Sequence, residues 1–152
     1  MRKLLVSACL TGSCCKYSGG SNALPEEVLA ALREEYELVP VCPEFAGGLP
    51  TPRNPSERLG DRVVSSAGAD VTEEYSRGAE TALKLCRRYN IDLALLKARS
   101  PSCGRDEIYD GTFSKTLISG DGVTVEKLKK ENIEIFTEAE TDKLLLNSKK
   151  SD

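Results

Sequence analysis

Leu4-Leu5-Val6-Ser7-Ala8-Cys9-Leu10, closed by Thr11-Gly12, is the first of three short apolar runs that decide the fold. A continuous apolar run of this length between turn residues is typical of a strand buried on both faces of a parallel sheet. The second run is Leu38 to Cys42, stopped by Pro43, and the third is Ile91 to Lys97. Segments with helical spacing separate and follow these runs, at 24–36, 72–89, 125–132 and 138–147. This alternation predicts an α/β fold: a single three-layer, Rossmann-like domain with a mainly parallel sheet flanked by helices.

The expected domain spans residues 1–147, and residues 148–152 are expected to form a polar C-terminal tail. Residues 43–70 are rich in proline and glycine, which predicts a long irregular excursion that ends in a short hairpin near Val63-Val64. Loops of this length are usually functional or mobile. The sequence shows no internal repeat and no second domain.

Local signals complete the predicted secondary structure. Two more short strands are expected at Thr116–Ser119 and Ile133–Phe136. Asn22 is the predicted N-cap of the first helix, and either Asp70 or Thr72 is the predicted N-cap of the second.

Composition excludes several classes of protein. The net charge is −3, with acidic and basic residues interspersed, and aromatic residues make up 5%, which argues against an extended nucleic-acid surface. No apolar run approaches the ~20 residues that cross a bilayer, and the first residues lack the pattern of a signal peptide. We therefore expect a cytoplasmic protein whose thiols stay reduced. The oligomeric state is left open.

The cysteines are the most informative residues, because the chain has six of them and no histidine. Cys9, Cys42 and Cys103 each come at or after the end of a predicted strand. Since the carboxyl ends of parallel strands meet at one edge of a sheet, three thiols should gather there. The absence of histidine and of paired C-x-x-C motifs disfavours structural zinc. Soft thiolates suit an iron–sulfur cluster, and a [4Fe–4S] cluster held by three cysteines leaves one iron open as a Lewis acid.

Other interpretations of the cysteines stay open at this point. Any one of the three could simply fill core space, as free cysteines often do. Cys86, on the apolar face of a helix, is predicted to be a core residue, whereas Cys14 and Cys15 could be a fourth ligand, a sulfur acceptor or incidental loop thiols. A phosphatase-type cysteine is disfavoured, because the first cation after Cys9 is Lys16 rather than a closely spaced arginine.

Several motifs stand in one consistent order over about residues 4–138. They are Ser7-Ala8-Cys9-Leu10, Tyr17-Ser18-Gly19-Gly20, Pro40-Val41-Cys42-Pro43-Glu44, Gly47-Gly48-Leu49-Pro50-Thr51-Pro52-Arg53, Gly68-Ala69-Asp70-Val71-Thr72, Ser100-Pro101-Ser102-Cys103-Gly104 and Ile108-Tyr109-Asp110-Gly111-Thr112-Phe113. Together they resemble the thiouracil desulfidase family. The chain departs from the family pattern at Lys16 and Ser18, where arginine and aspartate are expected, and Cys14 adds a thiol beside Cys15.

The resemblance implies a compact α/β domain with a catalytic [4Fe–4S] cluster. The cluster ligands carry over to Cys9, Cys42 and Cys103, and the catalytic residues to Glu44 and Ser100. Substrate binding is assigned to Ser102, Gly48 and Arg53.

The implied reaction is hydrolysis of a thiocarbonyl compound. Glu44 would deprotonate a water that attacks the ring carbon, Ser100 would shuttle a proton or hydrogen bond to the ring, and hydrosulfide would leave. The expected partner is a small thiolated nucleobase or nucleotide: 2-thiouracil, 4-thiouridine or its monophosphate. Cations near the Cys103 loop and the proline-rich excursion could hold a phosphate or could be ordinary surface charges: Lys97, Arg99, Arg105 and Arg53. A sulfur-transfer or redox protein and a non-enzymatic metal-binding module are the alternatives.

Overall fold

A four-stranded parallel sheet forms the centre of the molecule, with strand order β2-β1-β5-β8. The elements in chain order are β1 (Arg2–Ser7), α1 (Glu26–Glu35), β2 (Tyr36–Val41), α2 (Pro43–Ala46), β3 (Ser56–Leu59), β4 (Arg62–Ser65), α3 (Thr72–Tyr89), β5 (Leu93–Leu96), β6 (Glu107–Tyr109), β7 (Leu117–Ser119), α4 (Val123–Lys129), β8 (Glu134–Thr137) and α5 (Thr141–Ser151). The computed structural model describes the backbone of residues 1–151 and the side chains of residues 1–146. The predicted α/β fold with a parallel sheet is confirmed.

Two hydrophobic layers cover the two faces of the sheet. Successive side chains of β1 point to opposite faces, so Leu4 and Val6 join one cluster and Leu5 joins the other. The first cluster includes Leu32 of α1 and Leu144 of α5, and the second is made with α3 and α4. Strands that are apolar on both sides therefore form the middle of three layers, as their continuous apolar sequences predict.

The first apolar run does not stay extended to Leu10. The strand ends at Ser7, and Ala8–Thr11 form a 3₁₀ turn that Gly12 closes with a left-handed φ of 103°. Cys9 thus lies on this turn rather than on the strand. The Ser7 hydroxyl accepts a hydrogen bond from the Lys97 backbone N–H at 2.9 Å, which joins the ends of β1 and β5.

The proline-rich excursion holds more regular structure than its composition predicts. Pro43 was predicted to stop a strand, but it also occupies the first position of the short helix α2, where its fixed φ and missing N–H are tolerated. The predicted hairpin near Val63-Val64 is present as β3 and β4, which pair antiparallel. A second hairpin pairs β6 with β7; β6 lies within a segment predicted to be a loop.

Helix boundaries differ from the sequence prediction at three places. The predicted Asn22 cap is wrong, because α1 begins after Pro25, while the Asn22 backbone N–H donates to the Cys9 carbonyl at 3.0 Å. The helix α3 begins at Thr72, but the predicted N-cap, Asp70 or Thr72, is wrong, because Val71 occupies that position without a side-chain cap; the Asp70 carboxylate instead accepts a hydrogen bond from the Thr72 N–H at 3.0 Å. The helix α5 continues through residues 148–151 of the predicted tail, and Asp152 lies outside the described residues. None of the described helices is long and apolar enough to span a membrane.

Candidate active site

A pocket of about 580 Å³ opens at the carboxyl edge of the sheet. Three of its lining residues are the predicted ligands: Cys9 from the turn after β1, Cys42 from the end of β2, and Cys103 from the loop after β5. A fourth thiol, Cys15, lines the same pocket, whereas Cys14 is exposed and Cys86 is buried among core residues as predicted. The fold therefore brings four distant cysteines to one place.

Burial controls the protonation of these thiols. Burial raises the pKa of Cys103 to about 12, although hydrogen bonds from the Ser102 and Ser7 hydroxyls act in the opposite direction. Burial likewise raises the pKa of Cys9, against a hydrogen bond from Asn22. Burial and the nearby Cys42 thiol raise the pKa of Cys15 to about 12. Lys97 acts to lower the pKa of Cys9 and Arg53 acts to lower that of Cys15, but burial outweighs both cations, so the pKa of each thiol stays raised.

Glu44 projects from α2 into the pocket and is hydrogen bonded on both oxygens. Its Oε1 accepts from the Tyr75 hydroxyl at 3.1 Å and from the Ser102 hydroxyl at 3.1 Å. Its Oε2 forms an ion pair with Arg53, whose side chain is only 6% exposed. Arg53 also donates to the Cys15 carbonyl at 2.9 Å. These partners fix the carboxylate relative to the surrounding elements.

The helix α2 is held against α3 by direct backbone contact. A Cβ on Gly47 would lie 1.8 Å from the Glu74 carbonyl oxygen, and a Cβ on Gly78 would lie 1.8 Å from the Pro43 carbonyl oxygen. Only glycine leaves room for this approach. Because α2 carries Glu44 and α3 carries Tyr75, the same contact brings these two side chains together.

The loop after β5 forms a tight turn that carries Ser100, Ser102 and Cys103. The Ser100 hydroxyl oxygen accepts from the backbone N–H groups of Ser102 and Cys103, both at 3.1 Å. It lies 3.0 Å from the Ser102 hydroxyl, which in turn donates to Glu44. The start of α4 holds the loop in place, since the Thr124 N–H donates to the Ser102 carbonyl at 2.9 Å. A continuous hydrogen-bonded path thus runs from Ser100 through Ser102 to Glu44.

The mouth of the pocket is lined by aromatic and basic residues from three loops. Its aromatic residues are Tyr17, Tyr109 and Phe113, and its unpaired cations are Lys16 and Lys115. Neither lysine forms an ion pair with any residue in the part of the chain that the structure describes. This composition suits a ligand with a flat ring and a negative charge.

The cations that the sequence left open as either phosphate ligands or ordinary surface charges are already paired with carboxylates. Lys97 Nζ lies 2.9 Å from Glu138 Oε2, and Arg99 Nε lies 3.3 Å from Glu107 Oε1. Arg105 Nη1 lies 2.6 Å from Glu140 Oε1 and is not among the pocket-lining residues. Their pairing leaves Lys16 and Lys115 as the cations that face the pocket without a carboxylate partner among the described residues.

Comparison with known proteins gives the family. The model of the 2-thiouracil desulfurase family matches residues 4–140. The chain belongs to this family. A solved structure described as a [4Fe-4S]-dependent thiouracil desulfidase, TudS, has 46% sequence identity and a TM-score of 0.92, over 97% of each chain. The uncharacterized protein YbbK of Bacillus subtilis (strain 168) is 39% identical over 93% of this chain and 99% of its own.

Most of the residues chosen from the sequence fall at the pocket of this desulfurase-family domain. Glu44, Ser100, Ser102 and Arg53 line it together with the three predicted cysteine ligands. Gly48 does not, because the Gly47-Gly48 turn follows α2 on the side that packs against α3.

Sequence reasoning assigned no role in the site to several residues that the pocket contains. Tyr75 lies on the buried face of α3, and its helical periodicity gives no sign of the hydrogen bond to Glu44. Phe113 was quoted within a family motif without a role, and Lys115 was not singled out. The motif at 108–113 was the available signal for Phe113, whereas Lys115 lies outside it and no signal marked it.

Proposed function

We propose that this protein is an iron–sulfur-dependent desulfidase that removes sulfur from thiolated uracil compounds by hydrolysis. The observation that carries the proposal is one pocket in which three cysteines meet the Ser100–Ser102–Glu44 path. Membership of the 2-thiouracil desulfurase family and the likeness to TudS support the reaction class. The reaction adds the oxygen of water to the ring carbon and releases sulfur as hydrosulfide.

Cys9, Cys42 and Cys103 would hold a [4Fe–4S] cluster with one iron open. Their chemistry fits the group, because soft thiolates are its usual ligands and the chain has no histidine. Within the described residues, no three Cys, Asp or Glu side chains are arranged to hold a single metal ion. When bound, such a cluster supplies a Lewis-acidic site for the thiocarbonyl sulfur.

Glu44 is the proposed general base. A carboxylate offers about four acceptor positions, and three on Glu44 are taken by Tyr75, Ser102 and Arg53. The remaining position faces a pocket that water can enter. A water bound there would lose its proton to Glu44 as it attacks the ring carbon.

Ser100 and Ser102 are proposed to move a proton between the substrate side of the pocket and Glu44. The Ser100 oxygen accepts two backbone N–H groups, so its own hydrogen is left to donate to Ser102. The Ser102 hydroxyl lies 3.1 Å from Glu44 Oε1 and 3.4 Å from Cys103 Sγ, and we assign its single hydrogen to the charged carboxylate, the stronger acceptor. Each hydroxyl therefore donates to the next group along the path, Ser100 to Ser102 and Ser102 to Glu44. Ser102, assigned to substrate binding in the sequence analysis, takes the role of a relay in this scheme.

The pocket mouth favours a thionucleotide over a free thiobase. A pocket of about 580 Å³ is within the usual range for small-molecule sites. The aromatic side chains at its mouth can stack on a pyrimidine, and Lys16 and Lys115 can bind a phosphate. We propose 4-thiouridine monophosphate as the preferred substrate, with 4-thiouridine and 2-thiouracil as weaker ones. We expect the enzyme to work in the cytoplasm, where the thiols stay reduced.

Metal and sulfide analysis tests the proposal. The protein is purified without oxygen and reconstituted, and iron and acid-labile sulfide per chain are measured for wild type and Cys103→Ala. We expect about four of each in wild type, as the cluster composition requires, and a loss of both in the variant. Hydrosulfide release is then measured with the three thiolated compounds. A protein that retains zinc or no metal, and releases no sulfide, contradicts the proposal.

A sulfur-transfer function is the second candidate, because Cys15 lines the pocket near Cys42. With a low-molecular-weight disulfide present as a two-electron oxidant, that thiol could combine with the released hydrosulfide to form a persulfide, while the disulfide is reduced to two thiols. Single-turnover stoichiometry distinguishes the two functions. Repeated turnover by Cys15→Ser favours hydrolysis, whereas one equivalent of sulfur bound per chain, lost in Cys15→Ser, favours transfer.

A further inference from the structure

Residues 110–116 form a loop between β6 and β7 that places Phe113 and Lys115 at the mouth of the pocket. This loop is attached to β3 by one carboxylate. Glu57 Oε1 accepts a hydrogen bond from the Gly111 backbone N–H at 3.0 Å and from the Phe113 backbone N–H at 3.1 Å. Glu57 also lines the pocket.

The loop lies directly on β3 at Gly111. The φ angle of Gly111 is 96°, in the left-handed region. A Cβ there would come within 2.9 Å of Leu59 Cδ1 and 3.1 Å of the Arg58 carbonyl oxygen. Glycine therefore permits the approach that brings the loop N–H groups to Glu57.

The backbone of the loop is strained at the two residues that line the pocket. Phe113 has a φ of 57° and Lys115 a φ of 61°, values that non-glycine residues rarely adopt. Such conformations persist when neighbouring contacts impose them, and they cluster at ligand clamps. Within the loop, Asp110 Oδ1 accepts from Thr112, and the hydroxyls of Thr112, Ser114 and Thr116 form a chain. Glu57 adds the contact that fixes this ordered loop to the rest of the domain.

We propose that Glu57 is a positioning residue that holds the 110–116 loop over the pocket and so sets how tightly the substrate is bound. This inference rests on the proposed function, because it assigns the loop to substrate binding. Glu57 acts through the two N–H groups it accepts and takes no part in bond breaking. Its loss should weaken binding and leave the chemical step at Glu44 unchanged.

The rate of trypsin cleavage after Lys115 measures how firmly Glu57 holds the 110–116 loop. This measurement does not require enzymatic activity. Anaerobically purified holoenzyme is digested briefly, and cleavage at Lys115 is quantified by mass spectrometry for wild type, Glu57→Ala and Glu57→Gln. Loss of two hydrogen bonds should make cleavage about tenfold faster in Glu57→Ala. Glu57→Gln should stay close to wild type, because the amide oxygen accepts the same two bonds. If the charge of Glu57 mattered instead, Glu57→Gln would behave like Glu57→Ala.

Binding and turnover measure the consequence for the substrate. Uridine 5′-monophosphate, the proposed product, should protect Lys115 from trypsin, and half-protection of Glu57→Ala should need about tenfold more nucleotide. With 4-thiouridine monophosphate, KM should rise by a similar factor while kcat changes less than about twofold. Exposed Glu34 on α1 offers the matched control, Glu34→Ala, which should change none of these quantities. Cleavage after Arg88 in α3 controls for general unfolding.

Three results would overturn the assignment. Equal cleavage at Lys115 in wild type and Glu57→Ala would show that Glu57 does not hold the loop. Faster cleavage with unchanged KM and protection would show that the loop does not hold substrate. If uridine 5′-monophosphate did not protect wild-type protein from cleavage after Lys115, the loop would not bind the nucleotide. A wild-type enzyme that is protected by the nucleotide but releases no sulfide would refute the proposed reaction and support the loop assignment.

Discussion

The floor and the mouth of the pocket are built in different ways. The floor consists of the three cysteines, Glu44 and the Ser100–Ser102 turn, carried by the turn after β1, the end of β2, α2 and the loop after β5, and Ser102 is 1% exposed. The mouth consists of Lys16, Tyr17, Phe113 and Lys115 on loops and Tyr109 at the end of β6, and Tyr17 is 49% exposed. Floor side chains are bonded to one another, whereas the 110–116 loop is attached to β3 through Glu57.

This contrast separates chemistry from recognition. Groups that must be held at fixed distances lie on the sheet edge and packed helices, where few alternative conformations exist. Groups that select a substrate lie on loops, which tolerate change. Substitutions in the floor should therefore lower kcat, and substitutions at the mouth should raise KM.

The largest expected effect is that of Glu44→Gln. Because this change removes the proposed base but keeps the shape of the side chain, turnover should fall by about 10²–10⁴-fold. Iron and sulfide content should stay at the wild-type level. Anaerobic metal analysis and sulfide release measure both quantities, and a protein that loses its iron would show that Glu44 supports the cluster instead.

Ser102→Ala should have the next largest effect. It breaks the path between Ser100 and Glu44, so kcat should fall about tenfold or more with little change in KM. Steady-state kinetics with 4-thiouridine monophosphate measure kcat and KM separately. Ser13→Ala, at an exposed position, is the control. A rise in KM alone would assign Ser102 to substrate binding, as predicted from the sequence.

Lys115→Ala tests the mouth. Removing this exposed cation should raise KM for 4-thiouridine monophosphate about fivefold, since partly exposed ion pairs contribute about 1 kcal/mol. The KM for 2-thiouracil, which has no phosphate, should not change. Lys130→Ala, at the end of α4, is the matched control. Equal effects on both substrates would contradict phosphate binding by Lys115.

The smallest expected effect is on stability and concerns Glu140, which lies outside the pocket and forms an ion pair with Arg105. Burial alone would raise the pKa of Glu140, but hydrogen bonds from the Thr137 N–H, Arg105 and Lys143 lower it from 4.5 to about 2. A lowered folded-state pKa contributes stability above pH ~4.5 that is lost as pH falls toward 2. Glu140→Gln should therefore lose about 1 kcal/mol at pH 6 and less at pH 3. Urea unfolding at both pH values measures this difference, and an equal loss at both would contradict it.

The sequence predicted the floor well because its signals are local. Continuous apolar runs located the central strands. Because a cysteine comes at or after the end of each of these strands, the sequence predicted three thiols at one edge of the sheet. Cys9 was placed on a strand rather than a turn, yet it still reached the pocket, because the 3₁₀ turn begins where β1 ends.

The mouth could not be predicted in the same way. The helix α2 has four residues, too few to show periodicity, and its proline was interpreted only as a stop. β6 has three residues and gains its strand form by pairing with β7. The positions of Phe113 and Lys115 depend on Glu57, which is far away in the sequence. Contacts between distant irregular segments leave no pattern in a single sequence.

The glycine contact between α2 and α3 has a consequence for how the sequence can change. Carbonyl oxygens and α-carbons meet there with no side chain between them. The position of Glu44 relative to α3 is therefore set by backbone dimensions, which are the same for every sequence. Substitutions among the apolar residues under α3 can alter core volume without displacing the carboxylate. A single methyl group on Gly47 or Gly78 would displace it at once.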